Sequence, residues 1–225
     1  MQKVFISWSG GKDSCYSCYK AIQNGMDVRF LMNMMNENGT WSFVHRFPLS
    51  VLQQQSDALD IRLLHRPTGE DPYAVAFTRT IEEMKKDGIE GGVFGDIDLD
   101  EHREWVENIC HESGIEACLP LWGMSQDDVM TGFLGLGFVA IIIACNEKYL
   151  GEEWLGRKVD EAFISHLKEV QKTTDITVCG ESGEYHTLVI DGPIFKKCVE
   201  IQETVNRYNN GYWFLEIQKS ELKDK

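Results

Sequence analysis

The stretch that most constrains this chain lies between residues 4 and 25. Val4-Phe5-Ile6 is a short apolar run, and it stops at Ser9-Gly10-Gly11-Lys12-Asp13-Ser14. Behind that loop Cys15, Cys18, Tyr19 and Ile22 recur at helical spacing, and Gly25 stands where a C-cap glycine belongs. The pattern is strand, glycine loop, helix. Two adjacent glycines let a backbone approach an anion closely, and the helix N-terminus aims free N–H groups and partial positive charge at it. Ser9 and Ser14 carry hydroxyls for phosphate oxygens, and Lys12 adds a point charge. Asp13 repels phosphate, so it fits a magnesium ligand or a brace of the loop. The order is not that of a Walker A loop, because Asp13 follows the lysine, and Gly-x-Gly-x-x-Gly is absent. The plain alternative is a glycine turn capped by serine and aspartate. Strand, loop and helix in this order favour an anion site.

The same alternation continues. Val28 to Met35 reads as a strand, Asn38-Gly39 as a hairpin turn, and Trp41-Ser42-Phe43-Val44 as the strand after it. Pro48 suits the first residue of a helix carrying Val51, Leu52, Gln55 and Leu59. Ile61 to Leu64 is a strand, and Asp71-Pro72 caps a helix with Tyr73, Phe77, Ile81 and Met84 on one face. Gly92-Val93-Phe94 is a strand, Trp105, Ile109 and Cys110 mark a helix, and Ile115 to Leu121 is a last short strand. Strands alternating with helices predict an α/β fold, a parallel, doubly wound sheet that binds ligands beyond the C-terminal ends of its strands.

From about residue 124 the texture changes. A helix starts near Ser125, Phe138 to Cys145 is a strand, and Val159, Phe163, Leu167 and Val170 line a helix face. Thr187 to Ile190, Cys198 to Val205 and Tyr212 to Ile217 are strands, with Asn209-Asn210-Gly211 as a turn. The reading is a nucleotide-binding domain over 1–123 and a smaller α+β lobe over 124–225. No repeat or Pro/Ser-rich linker divides them.

Lys plus Arg is 22 against 36 Asp plus Glu, a formal charge of −14. An acidic chain repels phosphodiester backbones, so nucleic acid is not an expected partner. Seven cysteines, an odd number in a 225-residue chain, read as free thiols of the cytoplasm. The N-terminus shows no signal-peptide h-region, and Phe133 to Cys145 is too short to span a membrane.

Ser-Gly-Gly-Lys-Asp-Ser after the first strand resembles the pyrophosphate loop of the ATP pyrophosphatases, whose fold is the adenine nucleotide alpha hydrolase type. The resemblance implies a five-stranded parallel sheet, adenine near Leu31 to Met34, and cleavage of ATP between its α- and β-phosphates. A further set of residues narrows it. Gly180-Glu181-Ser182-Gly183-Glu184-Tyr185-His186-Thr187 precedes a strand and Asp191-Gly192-Pro193-Ile194-Phe195. Trp154-Leu155-Gly156-Arg157, Gly95-Asp96-Ile97, His102-Arg103, Trp105-Val106-Glu107 and Pro120-Leu121-Trp122 lie upstream. Together these resemble the diphthine–ammonia ligase family across nearly the whole chain. The resemblance implies an ATP-dependent ligase that forms an acyl-adenylate, displaces AMP with ammonia, and uses magnesium. Elongation factor 2 is the family's protein substrate, and a small carboxylate is the other acceptor open here.

On this reading Ser9, Gly10, Gly11, Lys12, Asp13, Ser14, Met34, Gly95 and Asp96 bind ATP, and Asp13 meets the metal. Arg157, Glu181, Gly183, Glu184 and Thr187 bind the acceptor, and Lys12, Asp13, Glu184 and His186 serve the chemistry. The acidic stretch also makes sense unaided: Glu181 and Glu184 carry acceptors, His186 moves protons near neutral pH, and Thr187 donates. A solvated turn before a strand is the plain alternative, as a surface ion pair is for Arg157. Asp96-x-Asp98-x-Asp100 with Glu107 imitates a calcium loop, but Glu101 stands where glycine is needed, and Asp100 reads as an N-cap. Cys15 and Cys18 share a face with Tyr19 and Ile22, so core packing is favoured over metal or redox chemistry. His45, His65, His111 and His166 are isolated. The rival functions are sulfur transfer on tRNA, which wants a basic face and working cysteines, and a non-catalytic adenine-nucleotide sensor.

Overall fold

Residues 1–42, 47–69 and 71–225 are described in a computed structural model of the protein; Phe43, Val44 and His45 lie outside the described residues. The chain forms two compact units. Met1–Ser9 and Asp13–Trp122 make the first, and Gly10–Lys12 and Gly123–Lys225 make the second.

In the first unit period-two apolar runs become strands and period-3.6 runs become helices. The order is β1 (Lys3–Ser7), α1 (Lys12–Gln23), β2 (Asp27–Met35), α2 (Leu49–Leu59), β3 (Arg62–Pro67), α3 (Tyr73–Lys85), β4 (Gly91–Val93), α4 (Asp100–Glu112) and β5 (Glu116–Cys118). The sheet runs β3-β2-β1-β4-β5 with every pairing parallel. Phe5, Phe30, Met32 and Met34 join the buried cluster of Phe77, Ile81, Phe94 and Val106 from α3, β4 and α4. Phe77 meets Trp105 edge-on at 5.2 Å, a favoured aromatic geometry. The strand order reverses between β1 and β4. The segments leaving those two C-terminal ends, Ser9 and Gly95-Asp96, therefore flank the crevice where such sheets take ligands.

Helix starts differ in detail from the sequence reading. Pro48 is the N-cap of α2 rather than its first helical residue; Pro72 is the N-cap of α3, as read, with no side-chain cap bond, and the Asp71 carboxylate accepts from Arg79. Asp100 is the first helical residue of α4, behind Leu99.

The second unit opens with α5 (Gln126–Gly135), where Ser125 Oγ accepts from the Asp128 N–H at 3.1 Å. β6 (Val139–Asn146), a 3-10 turn (Glu152–Trp154), α6 (Glu161–Val170), β7 (Tyr185–Asp191), β8 (Lys197–Asn209) and β9 (Tyr212–Asp224) follow. Their antiparallel sheet has the order β7-β6-β9-β8. β8 and β9 meet at Asn210-Gly211, whose positive φ values of 48° and 81° suit a primed hairpin turn. The hairpin runs to Asp224, past the Ile217 limit read from sequence, because the outer residues are exposed and need no apolar alternation.

Candidate functional site

The first unit holds one part of the predicted site. Ser9 Oγ and Ser14 Oγ are hydrogen-bonded at 3.0 Å across the ends of the glycine loop. Gly95 leaves β4 so close to Asp13 and Ser14 that a Cβ there would lie 2.9 Å from the Asp13 carbonyl carbon. Only glycine fits without moving the loop. Asp96 follows. Burial raises its carboxyl pKa, the neighbouring Asp13 charge adds to the rise, and His102, 3.3 Å away, opposes it. Two carboxylates that repel each other suit a hard cation, and magnesium needs only one or two beside phosphate oxygens. Among the described residues no three of His, Cys, Asp and Glu gather as a metal group.

Met34 lies in the aromatic cluster at the end of β2. Beside it Asn33, a residue the sequence reading passed over, donates from Nδ2 to the Trp8 carbonyl at 2.6 Å. Its buried Oδ1 has no hydrogen-bond partner among the described residues. A polar residue inside the run Phe30-Leu31-Met32-Asn33-Met34 was the available signal.

The second unit holds the other part. Gly10, Gly11 and Lys12 belong to it, and Lys12 is 3% exposed. The Lys12 N–H donates to Thr187 Oγ1 at 3.0 Å, and its ammonium donates to the Cys179 carbonyl. The sequence reading took this lysine as a point charge for phosphate; in the structure it is buried.

The acidic stretch is a closed turn. Gly180 and Gly183 have φ of 72° and 83°, the left-handed region. The Thr177 N–H donates to Glu184 Oε1 at 2.6 Å, and the Glu181 N–H donates to Thr177 Oγ1 at 2.9 Å. Tyr185 OH donates to the Val178 carbonyl at 2.6 Å, and Tyr212 OH to the Gly183 carbonyl at 3.0 Å. Glu184 is 1% exposed, and its Oε2 has no hydrogen-bond partner among the described residues. A buried carboxylate oxygen in that condition is costly unless it meets a cation or a donor. Burial, and then the Lys12 charge, lower the His186 pKa to about 4, so its imidazole is neutral at pH 7. Arg157 is exposed, with its guanidinium stacked 4.8 Å from the Trp154 ring centroid, and its carbonyl accepts from the N–H of Ile142, the residue paired with Thr187.

Cys15 and Cys18 do not offer thiolates. Cys15 and Cys18 are fully buried, and burial pushes Cys15 well above its usual pKa and Cys18 up to about 12.

Residues 2–117 match the family described as the diphthamide synthase N-terminal domain, and residues 125–222 match the diphthamide synthase C-terminal domain. The chain belongs to the diphthamide synthase family. A diphthine–ammonia ligase of Rattus norvegicus is 29% identical over 229 residues, covering 86% of this chain and 80% of its own length. That of Homo sapiens is 27% identical over 218 residues, covering 87% and 81%. That of Schizosaccharomyces pombe is 28% identical over 249 residues, spanning 99% of this chain but 40% of the yeast protein. Among solved structures, the predicted subunit of a tRNA methyltransferase from Methanocaldococcus jannaschii DSM aligns with a TM-score of 0.46 at 13% identity, over 84% of this chain and 97% of that one.

Proposed function

We propose that this diphthamide synthase family member is an ATP-dependent amide-forming ligase of the cytoplasm. It activates a carboxylate as an acyl-adenylate and lets ammonia displace AMP. The acceptor, by analogy with the relatives' named activity, is diphthine on elongation factor 2. What carries the reading is that Gly10–Lys12 of the glycine loop and the acidic turn share one unit, with Lys12 bonded to both Thr187 and Cys179. In such an arrangement a phosphate cradle and groups for a second substrate are built against each other.

The roles follow from chemistry. The loop N–H groups other than that of Lys12, with the hydroxyls of Ser9 and Ser14, hold the leaving pyrophosphate. Adenine lies at the end of β2 near Leu31 to Met34, with Gly95 and Asp96 beside the sugar and phosphates. Asp13, with Asp96, holds magnesium, which supplies positive charge for the phosphates. Glu184 Oε2 receives ammonium and orients it, with Glu181 at the rim of the turn. His186, neutral near pH 7, presents a lone pair to the proton that leaves the attacking nitrogen. Gly183 gives the turn its left-handed corner, and Thr187 fixes the loop. Arg157 and Trp154 offer a flat cationic surface for the acceptor protein.

Glu184→Gln tests the acceptor half. It keeps the shape and removes the charge, so Mg·ATP affinity measured by calorimetry should be retained. Ammonia-dependent amide formation should slow by about 10²–10⁴-fold, the usual worth of a positioned acid–base group. Full activity in a folded Glu184→Gln protein would remove Glu184 from the site.

A further inference from the structure

Lys12 sits mid-loop in sequence, yet its contacts are those of a fastener. Its ammonium donates to the Cys179 carbonyl and lies 5.6 Å from the centroid of the Tyr185 ring. Its N–H donates to Thr187 Oγ1, and the Val189 N–H donates to the Gly10 carbonyl at 3.0 Å. Tyr185, Thr187 and Val189 are alternate residues of β7, so these contacts recur at the strand's period of two. β7 is an edge strand of its sheet, and Gly10–Lys12 is bonded along it.

Cys179 is gripped from a second side. Its N–H donates to Gln126 Oε1 at 2.9 Å and its thiol to the Gln126 carbonyl at 3.4 Å, at the first residue of α5. The turn from Thr177 to Glu184 is thus anchored to a helix through Gln126 and to the glycine loop through Lys12. A buried ammonium is tolerable only with such partners, a carbonyl and an aromatic face. An ammonium held this way is not the mobile point charge that phosphates usually meet.

We propose that Lys12 is a positioning residue: its ammonium fastens Cys179, and with it the Glu184 turn, to the glycine loop. The inference deepens the ligase reading and rests on it only for what the turn does; the fastening stands on the contacts alone. Gln126 is the second anchor of the same turn.

The test compares the full chain with Lys12→Met and Lys12→Arg by amide hydrogen exchange over Thr177–Glu184 and by calorimetric titration with Mg·ATP. Lys12→Met keeps the length and loses the charge. It should speed exchange in the turn about tenfold or more, because protection follows the local opening equilibrium. Lys12→Arg, which still donates to a carbonyl, should restore most of the protection. Unchanged exchange would overturn the proposal, and Mg·ATP bound about tenfold weaker or worse beside it would mark Lys12 as a phosphate contact instead. Should Lys12→Met fail to fold, wild-type protein decides. Nuclear Overhauser effects between the Lys12 side chain and the Tyr185 ring should persist when Mg·ATP is added, and their loss would overturn the proposal. If wild-type protein fails to bind Mg·ATP, the ligase reading falls, and the exchange comparison still decides the fastening.

Discussion

Protonating His186 is unfavourable because burial strips water from the imidazole and Lys12 adds a like charge. Together they lower its pKa from 6.5 to about 4. The sign follows directly. Between those values the unfolded chain takes up a proton at this residue and the folded chain does not, so acid favours unfolding. This contribution to stability is full above pH 6.5 and is lost as pH falls toward 4. The urea midpoint should therefore decline across that window, and His186→Gln, which cannot titrate, should decline less steeply. Equal slopes in the two proteins would mean that other groups set the acid limb. The same burial shapes the chemistry: a neutral imidazole can accept a proton, whereas an imidazolium beside Lys12 would only repel ammonium. Glu184 shows the complementary case, a carboxylate with one oxygen bonded to the Thr177 N–H and the other left for a donor.

At the scale of elements, α1 links loop and core. Its buried face includes Cys15 and Cys18, and a serine at either site puts a hydroxyl where the thiol sat without a ready partner. Burying such a group costs about 1–3 kcal/mol. The double Cys15→Ser, Cys18→Ser protein should melt several degrees lower, in line with about 2–4 °C per kcal/mol for a chain of this size. It should still bind Mg·ATP and turn over at a permissive temperature; a stable, nucleotide-binding but inactive double variant would instead favour sulfur transfer. The order of these elements was legible because strands and helices impose different periods on apolar residues, as in Phe30-Met32-Met34 against Phe77-Ile81-Met84. The outer halves of β8 and β9 were not, since exposed strands carry no apolar alternation. Nor was the role of Asp71, whose carboxylate chose Arg79 over the helix end. The glycine loop was legible from its place between an apolar run and a helical pattern, and the structure has it between β1 and α1. The fastening of Lys12 was not, because its acceptor is a backbone carbonyl 167 residues away, and Gln126 and Asn33 carry no motif.

Across the molecule, the two units differ in architecture. The first is built on a parallel sheet, and the second carries an antiparallel sheet, the acidic turn and residues 10–12 of the glycine loop. The whole chain's net charge of −14 argues against a nucleic-acid acceptor on which a sulfur-transfer enzyme would act. No helix among the described residues is long and apolar enough to cross a membrane. The central claim is that ATP is split at its α-phosphate to activate a carboxylate for ammonia. It is tested most directly by identifying the nucleotide product when the protein is incubated with Mg·ATP, ammonia and diphthine-bearing elongation factor 2. The account predicts AMP and pyrophosphate in step with amide formed, each dependent on both acceptor and ammonia. ADP and orthophosphate as the main products would contradict it.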